Sequence, residues 1–165
     1  MTLRVTKVSL VFGVALFYTF LVFSNLTDYD SNYQFVRHVL MMDSTFPGNH
    51  GMGRAINSPA VHTAFYLTII AWETATMALC WWGVWRLVKS LKSDAKVFRK
   101  ASTLCIAGLT LGMMMWLVAF LDVGGEWFLM WQSKTWNGQE AAFRMFAVVG
   151  IVLLVLVQPE IEEKA

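Results

Sequence analysis

Residues 60–85 read AVHTAFYLTIIAWETATMALCWWGVW, an apolar run with one acid, Glu73, near its middle. A helix rises about 1.5 Å per residue and needs about 20 apolar residues to cross about 30 Å of hydrocarbon, so this run is long enough to span a bilayer. Three more runs of similar character follow the same reading, at about 8–26, 102–121 and 141–158. Of the 165 residues, 57% are hydrophobic and 15% charged, whereas soluble domains carry about 25% charged residues. A soluble core of this size could not bury that much apolar surface. The composition predicts an all-α membrane protein, one integral domain over 1–165, built as a four-transmembrane-helix bundle.

Charge placement predicts the orientation. Arg4 and Lys7 precede the first span, and Arg86, Lys89, Lys92, Lys96, Arg99 and Lys100 fill the link at 86–101. With Lys164 these make nine basic residues on one side, against Arg37, Arg54, Lys134 and Arg144, four, on the other. The positive-inside rule then puts the N and C termini and the link in the cytoplasm, and the loops at 27–58 and 122–140 outside. The net charge of +2 is a topology signal with no nucleic-acid footprint, and the bases can meet anionic headgroups of the bilayer. The first run is long for the apolar core of a signal peptide, despite a tolerable cleavage pattern at Val22-Phe23-Ser24, and reads as a retained helix. Cys80 and Cys105 both fall in spans and the outer loops hold no cysteine, so both read as small packing residues.

Local signals subdivide the loops. Ser31-Asn32-Tyr33-Gln34 has the form of a capping box. After it Phe35, Val36, Val39, Leu40 and Met42 recur at helical spacing, which predicts a short amphipathic helix in the first outer loop. That helix would lie on the membrane surface or cap the bundle. Pro47-Gly48 breaks it. Ser58-Pro59 marks a helix start that extends to about Lys89, with Trp81, Trp82 and Trp85 as an interfacial belt. The third span is expected to stop at Gly124-Gly125, and Asn137 with Glu140 is expected to cap the fourth, which ends before Pro159. The tail from Glu160 to Ala165 reads as short, polar and mobile.

Glu73 is the sharpest single residue. A carboxyl in hydrocarbon favours its neutral form, which donates a hydrogen bond, so it serves either a relay or inter-helix bonding. The residues favour bonding, with a Ser, a Thr or Tyr18 on a neighbouring helix as partner. Asp122 and Glu126 share a helical face with room for a metal beside His38, His50, His62 and Asp43, but no tight ligand spacing is present. Pairing with Arg37, Arg54 or Arg144 is the commoner outcome, and no metal or cofactor is expected. Gly108 and Gly112 form a GxxxG for packing within the bundle or self-association, and Trp127, Trp131 and Trp136 crowd the second outer loop as anchors or binding hot spots.

The stretch from Asn25 to Phe46, NLTDYDSNYQFVRHVLMMDSTF, together with Arg54 and Trp72-Glu73, resembles the bacterial family of predicted small integral membrane proteins called domain of unknown function 2165. The resemblance runs over essentially the whole chain. It implies a bacterial inner-membrane protein with Asn25, Asp28, Tyr29, Asn32, Phe35, His38, Asp43 and Glu73 as family-like positions, and it implies no particular activity.

Three functions follow in order. The first is a non-catalytic protein that binds a protein partner or a second copy through its outer loops or helices. It would act as an accessory subunit of a membrane complex, or as an immunity protein against a pore-forming toxin arriving from the periplasm. The second is a small transporter or channel using Glu73. The third is a quinone- or haem-linked membrane anchor. The residues alone do not separate accessory subunit from immunity protein, and they leave the oligomeric state open.

Overall fold

Among the described residues four helices are long and apolar enough to cross a membrane: Thr2–Thr27 (α1), Pro59–Lys89 (α3), Ala95–Trp127 and Gln139–Val157 (α6). The third divides into Ala95–Ala101 (α4), Thr103–Met114 (α5) and a π-helical continuation, Met115–Trp127. A further helix, Tyr29–Met41 (α2), lies between α1 and α3. This computed structural model describes residues 1–159, so the expected mobile tail and the base Lys164 lie outside the described residues. Among the described residues there is no strand.

Each spanning window buries between 22% and 33% of its residues inside the protein. Most of the remainder is apolar and outward, with Phe20, Phe23, Ile151 and Leu154 exposed. Outward apolar surface on this scale is stable only in hydrocarbon, and helices that satisfy their own backbone polar groups are the form in which chain crosses it.

Within the bundle α3 packs against α1 and α5, α5 packs against α6, and α6 closes onto α1. Small residues set the close crossings. A Cβ at Gly83 would meet Cys105, 2.8 Å from its backbone nitrogen, and one at Gly108 would meet Cys80. The two cysteines thus fill the space that each facing glycine leaves, which brings α3 and α5 close. Gly112 faces Tyr18 and Thr76, so both glycines of the GxxxG face inward within the bundle. The core around these crossings holds Val11, Ala15, Tyr18, Leu87, Leu109, Met115 and Val149.

Arg4 donates to the carbonyls of Leu91 and Ser93 and lies over the Phe98 ring, and Lys7 donates to the Gln158 carbonyl. The start of α1, the α3–α4 turn and the end of α6 therefore share one end of the bundle, here the terminal end. The loops that carry α2 and residues 128–138 share the other, the loop end.

Several local expectations need correction. The capping box does not form: α2 starts at Tyr29 with Asp28 as N-cap, two residues before Ser31, and Gln34 instead bonds Asp30. Gly124-Gly125 does not stop the third helix, and the span carries on past 121 to Trp127. Here the Phe128 N–H donates to the Val123 carbonyl, five residues back, as in a π-helix. Both glycines are buried, Gly124 against Met130 and Gly125 against Gln139, so packing rather than backbone freedom explains them. The link at 86–101 is largely helical, because α3 runs to Lys89 and α4 begins at Ala95. The N-cap of α6 is Gly138, although Asn137 still accepts from the Gln139 N–H. Ser58 and Pro59 stand at the start of α3 as expected.

Candidate functional site

The loop end assembles most of the singled-out residues. Glu73 is 2% exposed, and its carboxylate accepts from the Asn25 amide at 2.6 Å. Tyr66, one α3 turn pair before Glu73, donates to the Asn25 carbonyl at 3.1 Å and reaches its side-chain oxygen at 3.3 Å. Asn25 thus bridges the acid and the phenol, and its own backbone stays satisfied near the end of α1. The expected partner was wrong: Asn25 of α1, rather than a Ser, a Thr or Tyr18, bonds Glu73, and Tyr18 instead accepts from the Trp116 indole. Glu73 also stands level with the last turn of α1, since Asn25 precedes the helix end at Thr27 by two residues. It is near the middle of its own helix but near the loop end of the bundle, because α3 extends beyond α1.

Aromatic contacts run outward from that network. Tyr29 meets the Tyr66 ring edge-on, 4.8 Å between centroids, and Tyr33 stacks on Tyr29. On the other side of α2, Phe35 touches Phe120 and Trp136, while His38 stacks on Trp136 at 4.6 Å and 6°. The His38 ring nitrogen Nδ1 lies 2.6 Å from Asp43 Oδ2. Asp43 follows Met42, whose left-handed backbone ends α2 and turns the chain back. Val36, Val39 and Leu40 bury against Tyr66, Ile70, Phe128 and Met130, so α2 caps the bundle.

The two loops are laced together. Ser44 bonds Ser133, the Phe46 N–H donates to Gln132 Oε1, and Arg54 donates to the Trp127 carbonyl while its guanidinium covers the Trp127 ring at 4.9 Å. Phe46 and Trp131 pair edge to face, and Phe46, Met52, Trp127 and Trp131 remain exposed. Beside this platform is an apolar cleft of about 540 Å³ between α2, α3 and the π-helical segment, with Val36, Leu40, Phe65, Trp72, Phe120 and Phe128 in its walls. Thr68 is the polar aliphatic side chain in its lining, and the Trp72 N–H is already given to the Leu111 carbonyl.

Other expected groupings do not assemble. Asp122 and Glu126 are exposed, and two of the three bases offered as partners bond elsewhere, Arg37 to Gln34 and Arg54 to Trp127. Among the described residues no three His, Cys, Asp or Glu side chains gather as a metal site would require. His62 is buried, with Nε2 on the Ile56 carbonyl and Nδ1 without a partner. Asp28 is the N-cap of α2 and Asn32 bonds its carbonyl, so these two family-like residues shape the entry to α2. Tyr66, Gln132 and Ser133 were not singled out from the sequence. Their types are common in interfacial loops, and only their long-range contacts distinguish them.

Helices of this length around an internal polar network define a multi-span integral membrane protein. The family described as predicted small integral membrane protein (DUF2165) matches residues 3–159, and the chain belongs to it. No curated protein and no solved structure matches the chain.

Proposed function

We propose that the protein is a non-catalytic bacterial inner-membrane protein that binds a protein partner at its loop end. The observation behind this reading is the apolar cleft of about 540 Å³, walled in part by Phe35 of the family-like stretch. Exposed Trp127 and Trp131 on the adjoining platform are residue types common in binding hot spots. Hydrogen bonds between the loops hold this surface in shape before a partner arrives, which lowers the ordering cost of association. The hydrogen-bonded setting of Glu73 gives that acid a structural task and supports binding over transport. The charge asymmetry supports termini in the cytoplasm and a loop end in the periplasm.

A photo-reactive amino acid at Phe65 or Thr68, activated in native membranes, tests the reading. The expected result is a discrete cross-linked protein that is absent when the probe sits at Val88. Cross-links to lipid alone would overturn it. The identity of the captured chain separates an accessory subunit (a complex component or a second copy) from an immunity protein (a secreted toxin).

A further inference from the structure

The terminal end carries a second cavity, about 460 Å³, between the last turns of α3 and the start of the α4–α5 helix. Arg86, Lys89 and Lys100 line it together with Trp85 and Val97. Helical spacing explains the arrangement: Trp85, Arg86 and Lys89 share one side of α3, and Val97 and Lys100 stand one turn apart on α4. Each helix therefore brings an apolar group and a base to the same groove.

Three like charges in one groove repel unless an anion answers them. Among the described residues none of the three has a carboxylate within 4.0 Å, and Asp94 in the intervening turn pairs with none of them. The Lys89 ammonium lies 3.9 Å from the centroid of the Trp85 ring. That contact places the amine without neutralising it. Trp85 and Val97 are about half exposed, so the groove has an outward apolar border as well as a charged interior. Trp82, one turn before Trp85, is exposed as well, and such rings mark the level of the headgroups. The expected belt does not extend to Trp81, whose indole bonds Thr19 and packs on Phe12 near the middle of α1. The complement to cations with an apolar border at that level is an amphiphile with an anionic head.

We propose that this groove is a headgroup site for an anionic phospholipid, its phosphodiester held by Arg86, Lys89 and Lys100 and its chains lying outward along Trp85 and Val97. Arg86 supplies planar, paired donors and the two lysines supply point charges, a combination suited to phosphate oxygens.

The test is native mass spectrometry of the full-length protein in detergent, titrated with phosphatidylglycerol or phosphatidylcholine. The wild type is expected to retain phosphatidylglycerol about tenfold better, as a site that recognises charge should. Arg86→Gln, Lys89→Gln and Lys100→Gln together should remove that preference. A control with the same charge change outside the groove, Lys92→Gln, Lys96→Gln and Arg99→Gln, should lower it by less than about twofold, since exposed charges act weakly at a distance. Equal loss in the two triple variants would overturn the site in favour of a diffuse surface charge. A wild type without preference would overturn it outright, and this arm does not depend on any variant folding. Displacement of the lipid by millimolar inorganic phosphate would overturn the lipid assignment and leave a soluble-anion site.

Discussion

The Asn25 side chain on α1 donates to the Glu73 carboxylate on α3 at 2.6 Å, joining residues 48 apart in sequence at a position that water does not reach. A buried acid is costly without a partner, and here one amide serves both it and the Tyr66 phenol. This bridge holds the end of α1 against the helix that carries the loop-end cleft.

Removing the amide should therefore cost more than altering the acid. Asn25→Leu strands Glu73 and should lower stability by about 1–3 kcal/mol, whereas Glu73→Gln keeps an oxygen acceptor and should cost less. A double-mutant cycle with Glu73→Leu should give a coupling of about 0.6 kcal/mol, up to about 1.7, by reversible unfolding in mixed micelles. Zero coupling would mean that the bond contributes nothing net to stability.

Gly83→Ala places a methyl against Cys105, including its backbone at 2.8 Å, and the backbone has nowhere to go. Overpacking of this kind should destabilise by about 1–3 kcal/mol. At Gly13 a Cβ meets nothing within 4 Å, so Gly13→Ala should be neutral or stabilising by up to about 1 kcal/mol. Thermal unfolding of the two variants side by side checks the contrast.

Tyr18→Phe removes the acceptor of the Trp116 indole, which donates to the Tyr18 hydroxyl at 2.9 Å in the core. An unsatisfied buried donor costs about 1–3 kcal/mol. Trp116→Phe removes that donor as well and should cost less per lost hydrogen bond in the double variant than in the sum of the singles. Equilibrium unfolding of the three variants reads the difference.

Gln132 accepts from the Phe46 N–H at 3.0 Å and lies 3.4 Å from the Asn49 amide. Gln132→Ala should release the first loop from the second and raise amide exchange at Phe46 by about tenfold, as loss of one hydrogen bond of about 1.4 kcal/mol would. Exchange within α1 and α6 should not change. Faster exchange throughout the bundle would show that the loops carry global stability.

Length and composition determined the four spanning helices, because hydrocarbon selects for runs of apolar residues and a run is visible in the chain itself. Ser58-Pro59 and the periodic stretch after Phe35 were legible for a similar reason: caps and amphipathic spacing act over a few residues. The capping box at Ser31 misled, since Asp28 was an equally good N-cap and local chemistry does not rank the two. The spanning helices are apolar nearly all round, so their sequences do not say which face turns inward. Helix rotation and register made that choice. Tertiary structure alone decided that Asn25 answers Glu73, that Gly83 meets Cys105, and that the third helix runs through Gly124-Gly125 to Trp127. Each depends on contacts between segments far apart in the chain, and their packing overrides what either segment prefers locally.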